Sequence, residues 1–452
     1  MHMRKLFGTD GIRGKSNTYP MTAEIALRLG QAAAKVFRQK LKKGRISCVI
    51  GKDTRKSGYV FEYALTSGLC SMGIDVHLVG PMPTPAIAHL TKSFAADFGI
   101  VISASHNPAT DNGIKFFDTD GFKLPDGFEE EIEKAMESGI DTSNINGTAV
   151  GKAFRVDDAA GRYIEYTKNS IKNMSLSGLK IVLDCANGAA YRVAPPIFRE
   201  LGAEVIVLNN KPDGLNINDE CGSMHPEVIS SAVLGHKADI GIALDGDADR
   251  VIIVDEKGEQ IDGDHIIAMC AVDMKRRGKL NDNTVVVTVM TNIGFDIAMN
   301  ENNIAVVKTK VGDRYVVEEM RANNFTLGGE QSGHIIFFRR STTGDGCLSA
   351  LQVLALMKTS GKKVSELAGV MHSYPQILIN VMVRQKRPVE NMLSVCQAIA
   401  DAERKLGKDG RVLVRYSGTE NKCRVMIEGR DEAEIKSLAE NIADKIRKEI
   451  GE

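Results

Sequence analysis

The apolar run Gly99-Ile-Val-Ile-Ser-Ala104 gives way to the hydroxyl of Ser105 and then to His106-Asn107-Pro108. The run reads as a buried strand, and Asn-Pro does not extend one, so Ser105 is expected on an exposed loop just past a sheet edge. Ligand sites in open α/β sheets form at such edges. A second run, Ile240-Gly-Ile-Ala-Leu244, ends the same way in Asp245-Gly-Asp247-Ala-Asp249-Arg250. Three carboxylates at alternate positions repel one another unless a cation lies among them. Magnesium, a hard cation held by carboxylates together with phosphate oxygens, suits that donor set. A hydroxyl beside such a metal points to phosphoryl transfer through Ser105. Lys115 follows an expected Asn112-Gly113 turn and is placed to return to this site as an acid, a base or a charge clamp. The bland alternatives are a turn serine and a surface lysine.

The acidic run has a specific rival, the calcium-binding EF-hand loop, because Asp at positions 1, 3 and 5 and Glu256 at position 12 match it. Arg250 stands at position 6, where that loop needs glycine, and Val251–Val254 is β-type, so the rival fails. Two other stretches suit anions. Phe7-Gly-Thr-Asp-Gly-Ile-Arg13-Gly14 reads as a tight glycine-rich loop whose amides face an anion, or as a plain turn. Arg415-Tyr-Ser417-Gly418-Thr419-Glu-Asn421 supplies a guanidinium, two hydroxyls and a glycine amide, a set suited to a phosphate that is held and not transferred.

The elements that must position these groups recur along the chain. A strand, a turn, a helix and a second strand are expected over 46–79, again over 180–208 and again over 284–307. The first two units continue alike, Ala96-Asp97-Phe-Gly99-Ile into Ser105 and Ala238-Asp239-Ile-Gly241-Ile into Asp245. At the corresponding place in the third, Phe325-Thr-Leu-Gly-Gly329 leads into Glu330-Gln-Ser332-Gly-His334. The expected fold class is α/β: three similar α/β domains with mixed sheets around a central cleft, plus a C-terminal α+β domain. The expected boundaries are 1–155, 156–260, 261–373 and 374–452.

With 58 basic and 58 acidic residues the chain has no global field for nucleic acid, so anion binding must be local. Eight cysteines without a C-x-x-C pair fit reduced thiols. No run is long enough to span a bilayer and none resembles a signal peptide, so a cytoplasmic protein without membrane partners is expected.

Together, FGTDGIRG at 7–14, SASHNP at 103–108, NGIK at 112–115, DGDADR at 245–250, GEQSGH at 329–334 and SGTE at 417–420 resemble the α-D-phosphohexomutase superfamily. Gln331, 309–315 and 342–346 look like its glucosamine branch. The resemblance implies a phosphoserine at Ser105 and magnesium held by Asp245, Asp247, Asp249 and the phosphate on Ser105. It places Arg13, His106 and Lys115 at the transferring phosphate, Lys115 as a proton-transfer candidate. Glu330 and Ser332 would bind sugar; Arg415, Ser417, Gly418, Thr419 and Arg424 would bind the held phosphate. The implied reaction converts glucosamine 6-phosphate to glucosamine 1-phosphate through glucosamine 1,6-bisphosphate, with glucose 1,6-bisphosphate as an alternative activator, feeding peptidoglycan precursors. Conversion of glucose or mannose phosphates is the nearest alternative, and a homodimer is implied. Tyr416 and Asn421 stand where the family's phosphate loop usually has prolines.

Overall fold

The computed structural model describes residues 6–8, 10–143, 145–417 and 421–452. It divides into two units, Met1–Met290 with Ile304–Gly369, and Thr291–Asn303 with Val370–Glu452.

The first unit is built three times on one plan. In each sheet a central strand made almost wholly of buried residues is flanked by two parallel strands, and an antiparallel strand pairs with one of these. The central strands are Ile46–Lys52, Lys180–Asp184 and Thr284–Thr288. Ile74–Pro81 and Phe98–Ile102 flank the first, Glu204–Leu208 and Ile240–Leu244 the second, and Ala305–Thr309 and Leu327–Gly329 the third. Asp111–Asp118, Val251–Val254 and Ile335–Phe337 then run back antiparallel. The loops carrying Ser105, the three aspartates and Glu330 are therefore topologically equivalent, each lying between the third strand and its antiparallel return. Sequence spacing predicted this repeat because the inward residues of a buried parallel strand leave a run of four to six apolar positions.

Helices supply the other layers. Ala23–Leu41 is capped by Thr22 and packs Phe37 against Phe98, ring on ring with centroids 4.0 Å apart. It crosses Gly58–Ser71 closely, since a Cβ on Gly68 would stand 2.2 Å from the Leu27 carbonyl oxygen. Among the described residues no helix is long and apolar enough to cross a membrane.

Two local expectations are corrected. Asn112-Gly113 is not a turn but part of Asp111–Asp118; the reversal occurs at 104–111, closed by Asn107 N–H to Ala104 O and Asp111 N–H to Pro108 O. The second half of the 7–14 segment is not loop but the edge strand Ile12–Lys15, paired antiparallel with Asp111–Asp118. Pairing wins there because Ile12 is fully buried opposite Ile114 and its backbone groups need partners away from water.

The second unit is α+β. Its antiparallel sheet runs Gln376–Met382, Lys422–Glu428, Arg411–Tyr416, with helices Leu393–Leu406 and Glu432–Ile450 packed over Val425 and Ile427. Helical residues over 389–406 are interrupted at Met392, whose φ of -111° and ψ of 85° separate a short turn from Leu393–Leu406. Helix Ile293–Glu301, read from sequence as part of the third repeat, belongs to this unit: the Ile293 amide donates to Glu428 Oε2 at 3.0 Å.

Candidate active site

Ser105 follows Phe98–Ile102, but it is not the exposed loop residue expected: it is 1 % exposed, and its Oγ donates to Asp245 Oδ2 at 2.6 Å. Its φ of 52° lies in the left-handed region, which costs a non-glycine residue about 1–2 kcal/mol. Such strain persists only where surroundings over-determine it. Here they do. Ser103 Oγ accepts from the Ser105 amide at 2.9 Å, and the Ser105 carbonyl accepts from Arg55 Nη2 at 3.1 Å and Asn218 Nδ2 at 2.9 Å. Arg55 and Asn218 also donate to the Asn107 carbonyl, and Asp53 pairs with the Arg55 guanidinium, which is fully buried. Gly246 is required next to this loop, because a Cβ there would stand 2.6 Å from the Ser105 carbonyl oxygen.

Asp245, Asp247 and Asp249 are buried and bring one carboxylate oxygen each within 4.8 Å of the others. Left-handed Ala248, with φ of 55°, lets the loop 245–250 turn its acids to one side. Burial and the neighbouring Asp249 and Asp247 push the Asp245 carboxyl well above its ordinary range. Burial acts on Asp247 in the same sense, but Lys115, the Thr84 hydroxyl at 2.7 Å and Arg13 outweigh it and hold Asp247 low. Two buried oxygens, Asp247 Oδ1 and Asp249 Oδ1, have no hydrogen-bond donor. Buried anionic oxygens left without donors are costly in a protein and are the ligands a hard divalent cation takes. The set therefore fits a metal ion, with the Ser105 oxygen at hand as a further ligand.

Opposite the acids stands a cationic frame. Lys115 lies on Asp111–Asp118, in register with Val101, and is buried with its Nζ 3.1 Å from Asp10 and 3.2 Å from Asp247. Burial lowers its pKa, but Asp10, Asp247 and Asp249 raise it further, so it stands as a fixed ammonium. Arg13, on the edge strand, pairs with Asp10, as does Lys123. Burial pushes the Asp10 carboxyl up, yet Lys115, Lys123 and Arg13 hold it well below the carboxylate range. His106 Nδ1 is 3.4 Å from Ser105 Oγ; burial, with Arg250 and Arg13 nearby, takes it down to about 4, so its ring is neutral at neutral pH.

The third-repeat loop joins this cluster. Its Gly333 carbonyl accepts from the Val251 amide at 3.1 Å, and the Gly346 amide donates to the Ala248 carbonyl at 3.0 Å. Glu330 is half-buried and accepts from the Gly312 amide at 3.1 Å, with Ser332 Oγ 3.5 Å from its other oxygen. His334 lies beneath: the Gly344 amide donates to Nε2 at 2.9 Å, leaving the ring hydrogen on Nδ1, which faces Asp249 at 3.6 Å. Gln331, read as a marker of the glucosamine branch, donates to Asp262 at 3.2 Å, the residue that caps helix Gly263–Arg276.

In the second unit Arg415 and Arg424 are directly opposed on paired strands, and Arg424 together with burial lowers the Arg415 pKa. Opposed like charges destabilise a sheet unless other groups offset them, and both arginines have further partners. The Ser417 carbonyl accepts from Lys386 Nζ at 2.7 Å. Gly418 and Thr419 lie outside the described residues.

Ser105, His106, Lys115, Arg13, Asp245, Asp247 and Asp249 thus meet in one cluster, with Glu330 and Ser332 on its flank. Sequence reasoning did not single out Arg55, Asn218, Thr84, Asp10, Lys123 or His334. Asp10 and His334 lay within motifs already quoted; Arg55 and Asn218 act through backbone carbonyls, for which no residue spacing is a signal.

Four family models match the chain in order: phosphoglucomutase/phosphomannomutase alpha/beta/alpha domain I over 4–142, domain II over 161–258, domain III over 262–374, and the C-terminal domain over 378–445. The chain belongs to this family. The phosphoglucosamine mutase of Pelobacter propionicus is 60 % identical over 452 residues, covering 100 % of both chains, and that of Geotalea daltonii is 59 % identical, covering 99 % of both. Among solved structures, a Burkholderia thailandensis phosphoglucomutase/phosphomannomutase family protein shares the fold with TM-score 0.80 at 24 % identity, covering 97 % of each chain. The N-acetylphosphoglucosamine mutase of Aspergillus fumigatus, in complex with GlcNAc-6P and magnesium, does so with TM-score 0.70 at 18 % identity, covering 98 % of this chain and 96 % of that one. The phosphohexomutase class expected from the motifs is the class of these relatives.

Arg55 supplies a test of how the nucleophile is held. Lysine keeps the charge but loses the planar fork that bonds Asp53, Ser105 and Asn107 together. Arg55→Lys is expected to lower mutase kcat roughly tenfold to a hundredfold with little change in KM, the signature of a displaced reacting group. Steady-state kinetics on folded protein decides: unchanged kcat would mean that Arg55 only fills space.

Proposed function

We propose that this phosphohexomutase interconverts glucosamine 6-phosphate and glucosamine 1-phosphate through a phosphorylated Ser105. The observation that carries the reading is the Ser105 hydroxyl 2.6 Å from Asp245, inside a buried acidic cluster faced by Lys115 and Arg13. The choice of sugar is supported by the activity named for relatives 54–60 % identical over the whole chain. Roles divide by domain: the phosphoserine loop in 1–155, the metal-binding loop in 156–260, the sugar-binding loop in 261–373 and the phosphate loop in 374–452.

In the first half-reaction the sugar O1 forms a bond to phosphorus as the Ser105 Oγ–P bond breaks, giving glucosamine 1,6-bisphosphate; the O1 proton leaves the sugar. The sugar then reverses, Ser105 Oγ takes the 6-phosphoryl group, and O6 regains a proton, so the net change is isomerisation. Glucose 1,6-bisphosphate, held by an A. fumigatus N-acetylphosphoglucosamine mutase variant, is the corresponding bisphosphate of a related sugar and a candidate activator. Asp245, Asp247, Asp249 and the phosphate on Ser105 would hold a magnesium ion, which supplies positive charge against the phosphoryl oxygens. Lys115 and Arg13 supply fixed charge to the same oxygens, and His106, neutral beside Oγ, is a polar neighbour of the transferring group. Glu330 and Ser332 bind ring hydroxyls. Arg415, Ser417, Gly418, Thr419 and Arg424 hold the phosphate that stays. Burial of Ser105 limits water, which favours return of the phosphoryl group to sugar over hydrolysis. Eight free cysteines fit a reducing, cytoplasmic setting, and glucosamine 1-phosphate as the product suits cell-wall precursor synthesis.

Ser105→Ala removes the only atom that carries the phosphoryl group between half-reactions, so turnover should vanish. Intact-mass measurement should show a phosphate on the wild type that the variant lacks; an active variant rejects the phosphoserine.

Asp247→Asn should cost at least roughly a hundredfold in kcat, because the charge opposing the transferring group falls with the metal. Treatment with EDTA should have the same effect, and full activity after chelation would remove the metal from the reading.

Glu330→Ala should lower kcat/KM by about 1–3 kcal/mol on glucosamine 6-phosphate and glucose 6-phosphate alike, as sugar hydroxyls lose a charged, half-buried partner. Parallel assays discriminate: no loss on either rejects sugar binding, and a loss confined to glucosamine makes Glu330 the reader of the amine.

A further inference from the structure

At the other end of the strands Leu327–Gly329 and Ile335–Phe337, away from Glu330 and His334, the first unit has a second cavity of about 470 Å³. That volume is within the range of small-molecule sites, about 300–1,000 Å³. Five cations line it: Lys172, Arg277, Lys279, Arg339 and Arg340. No carboxylate lines it. Arg277 pairs with Asp273, and Arg339 donates to Asn281 at 2.8 Å; among the described residues no ion pair neutralises Lys172, Lys279, Arg339 or Arg340. The like charges are felt mutually, since Arg277 first, then burial, Lys172 and Arg340 lower the Lys279 pKa. The floor is different in character: Ile171 and Phe337 are buried, with Met174 and Met274 beside them. Gln352 and Ser170, joined by a 3.0 Å hydrogen bond, add neutral polar groups.

These residues come from separate elements: the end of Ala159–Asn169 and the loop after it, the end of Gly263–Arg276, the strand pair and helix Gly346–Ser360. The five cations are themselves exposed, and what a merely solvated basic face would lack is the cavity and its apolar floor. We propose that this cavity binds a small phosphorylated molecule with a planar apolar body, the chemistry of a nucleoside diphosphate, at a site separate from the sugar phosphate. The phosphates would lie among Lys279, Arg339 and Arg340, and the ring system on Phe337 and the two methionines, contacts that favour flat, polarisable groups. The site does not use Ser105, the aspartates or the second unit, so it stands apart from the proposed reaction.

ADP, pyrophosphate and adenosine are the probes, titrated by calorimetry into the whole protein at about 0.15 M salt, where exposed charges are partly screened. ADP should bind saturably with Kd below about 1 mM, and pyrophosphate and adenosine each at least roughly tenfold more weakly. The Ser105→Ala protein should bind ADP as the wild type does. Lys279→Ser with Arg340→Ser should weaken ADP at least roughly tenfold while kcat stays within about twofold, which also reports folding. Ala355→Trp, which fills the cavity without altering charge, should do the same. Absence of saturable ADP binding, binding untouched by either variant, or pyrophosphate binding as tightly as ADP would each overturn the proposal.

Discussion

Burial of three carboxylates beside one serine hydroxyl is the constraint from which the rest of the first unit follows. Taking Asp245, Asp247 and Asp249 out of water is tolerable only with positive charge and donors supplied on several sides. Lys115 and Arg13 come from one antiparallel strand pair, Thr84 from the start of a helix, and the Arg250 amide, 3.1 Å from Asp245, from the acidic loop itself. Each partner must be delivered with sub-ångström accuracy, and strands and helix ends deliver better than free loops. The same density of charge keeps Asp247 ionised while pressing Asp245 towards protonation, an imbalance that a divalent cation removes.

Repetition of one sheet topology is how the fold meets that demand. The loop between the third strand and its antiparallel return projects from the same side of each sheet, so three copies present three loops of different chemistry. Serine and histidine stand in the first, aspartates in the second, glutamate, serine and a deeper histidine in the third. Backbone hydrogen bonds from Val251 to Gly333 in the third loop and from Gly346, at the start of a helix, to Ala248 tie the second loop to the third repeat, and Gly246 lets the second loop approach the first. Function therefore sits in loops whose scaffold is shared and whose side chains are not.

The left-handed Ser105 is the counterpart of this rigidity. A backbone conformation that serine disfavours is held by Arg55 and Asn218, which bond the carbonyls of Ser105 and Asn107 and not the reactive oxygen. A hydroxyl fixed in this way needs little reorganisation before it reacts. Its burial also distinguishes it from an ordinary turn serine, which solvent would cover.

The amino-acid sequence by itself determined the elements and the chemistry. Buried parallel strands such as Lys180–Asp184 and Ile240–Leu244 write themselves as continuous apolar runs, so their bounds were legible to the residue. Ser105 and the three aspartates were legible because reactive residue types directly after such runs are conspicuous. Tertiary structure decided what local pattern cannot encode. Asn112-Gly113 has the composition of a turn yet lies in a strand, because pairing with Arg13 and Gly14 and the Ser103 amide donated to the Gly113 carbonyl satisfy its backbone. Ser105 has the composition of an exposed loop yet is buried, because Gly246 and Asn218, more than 100 residues away in sequence, close over it. Helix Ile293–Glu301 lies within the third repeat in sequence yet joins the C-terminal unit, where Glu428 receives its first amide. In each case the deciding partner is distant along the chain, and its contribution depends on a geometry that only the folded chain creates.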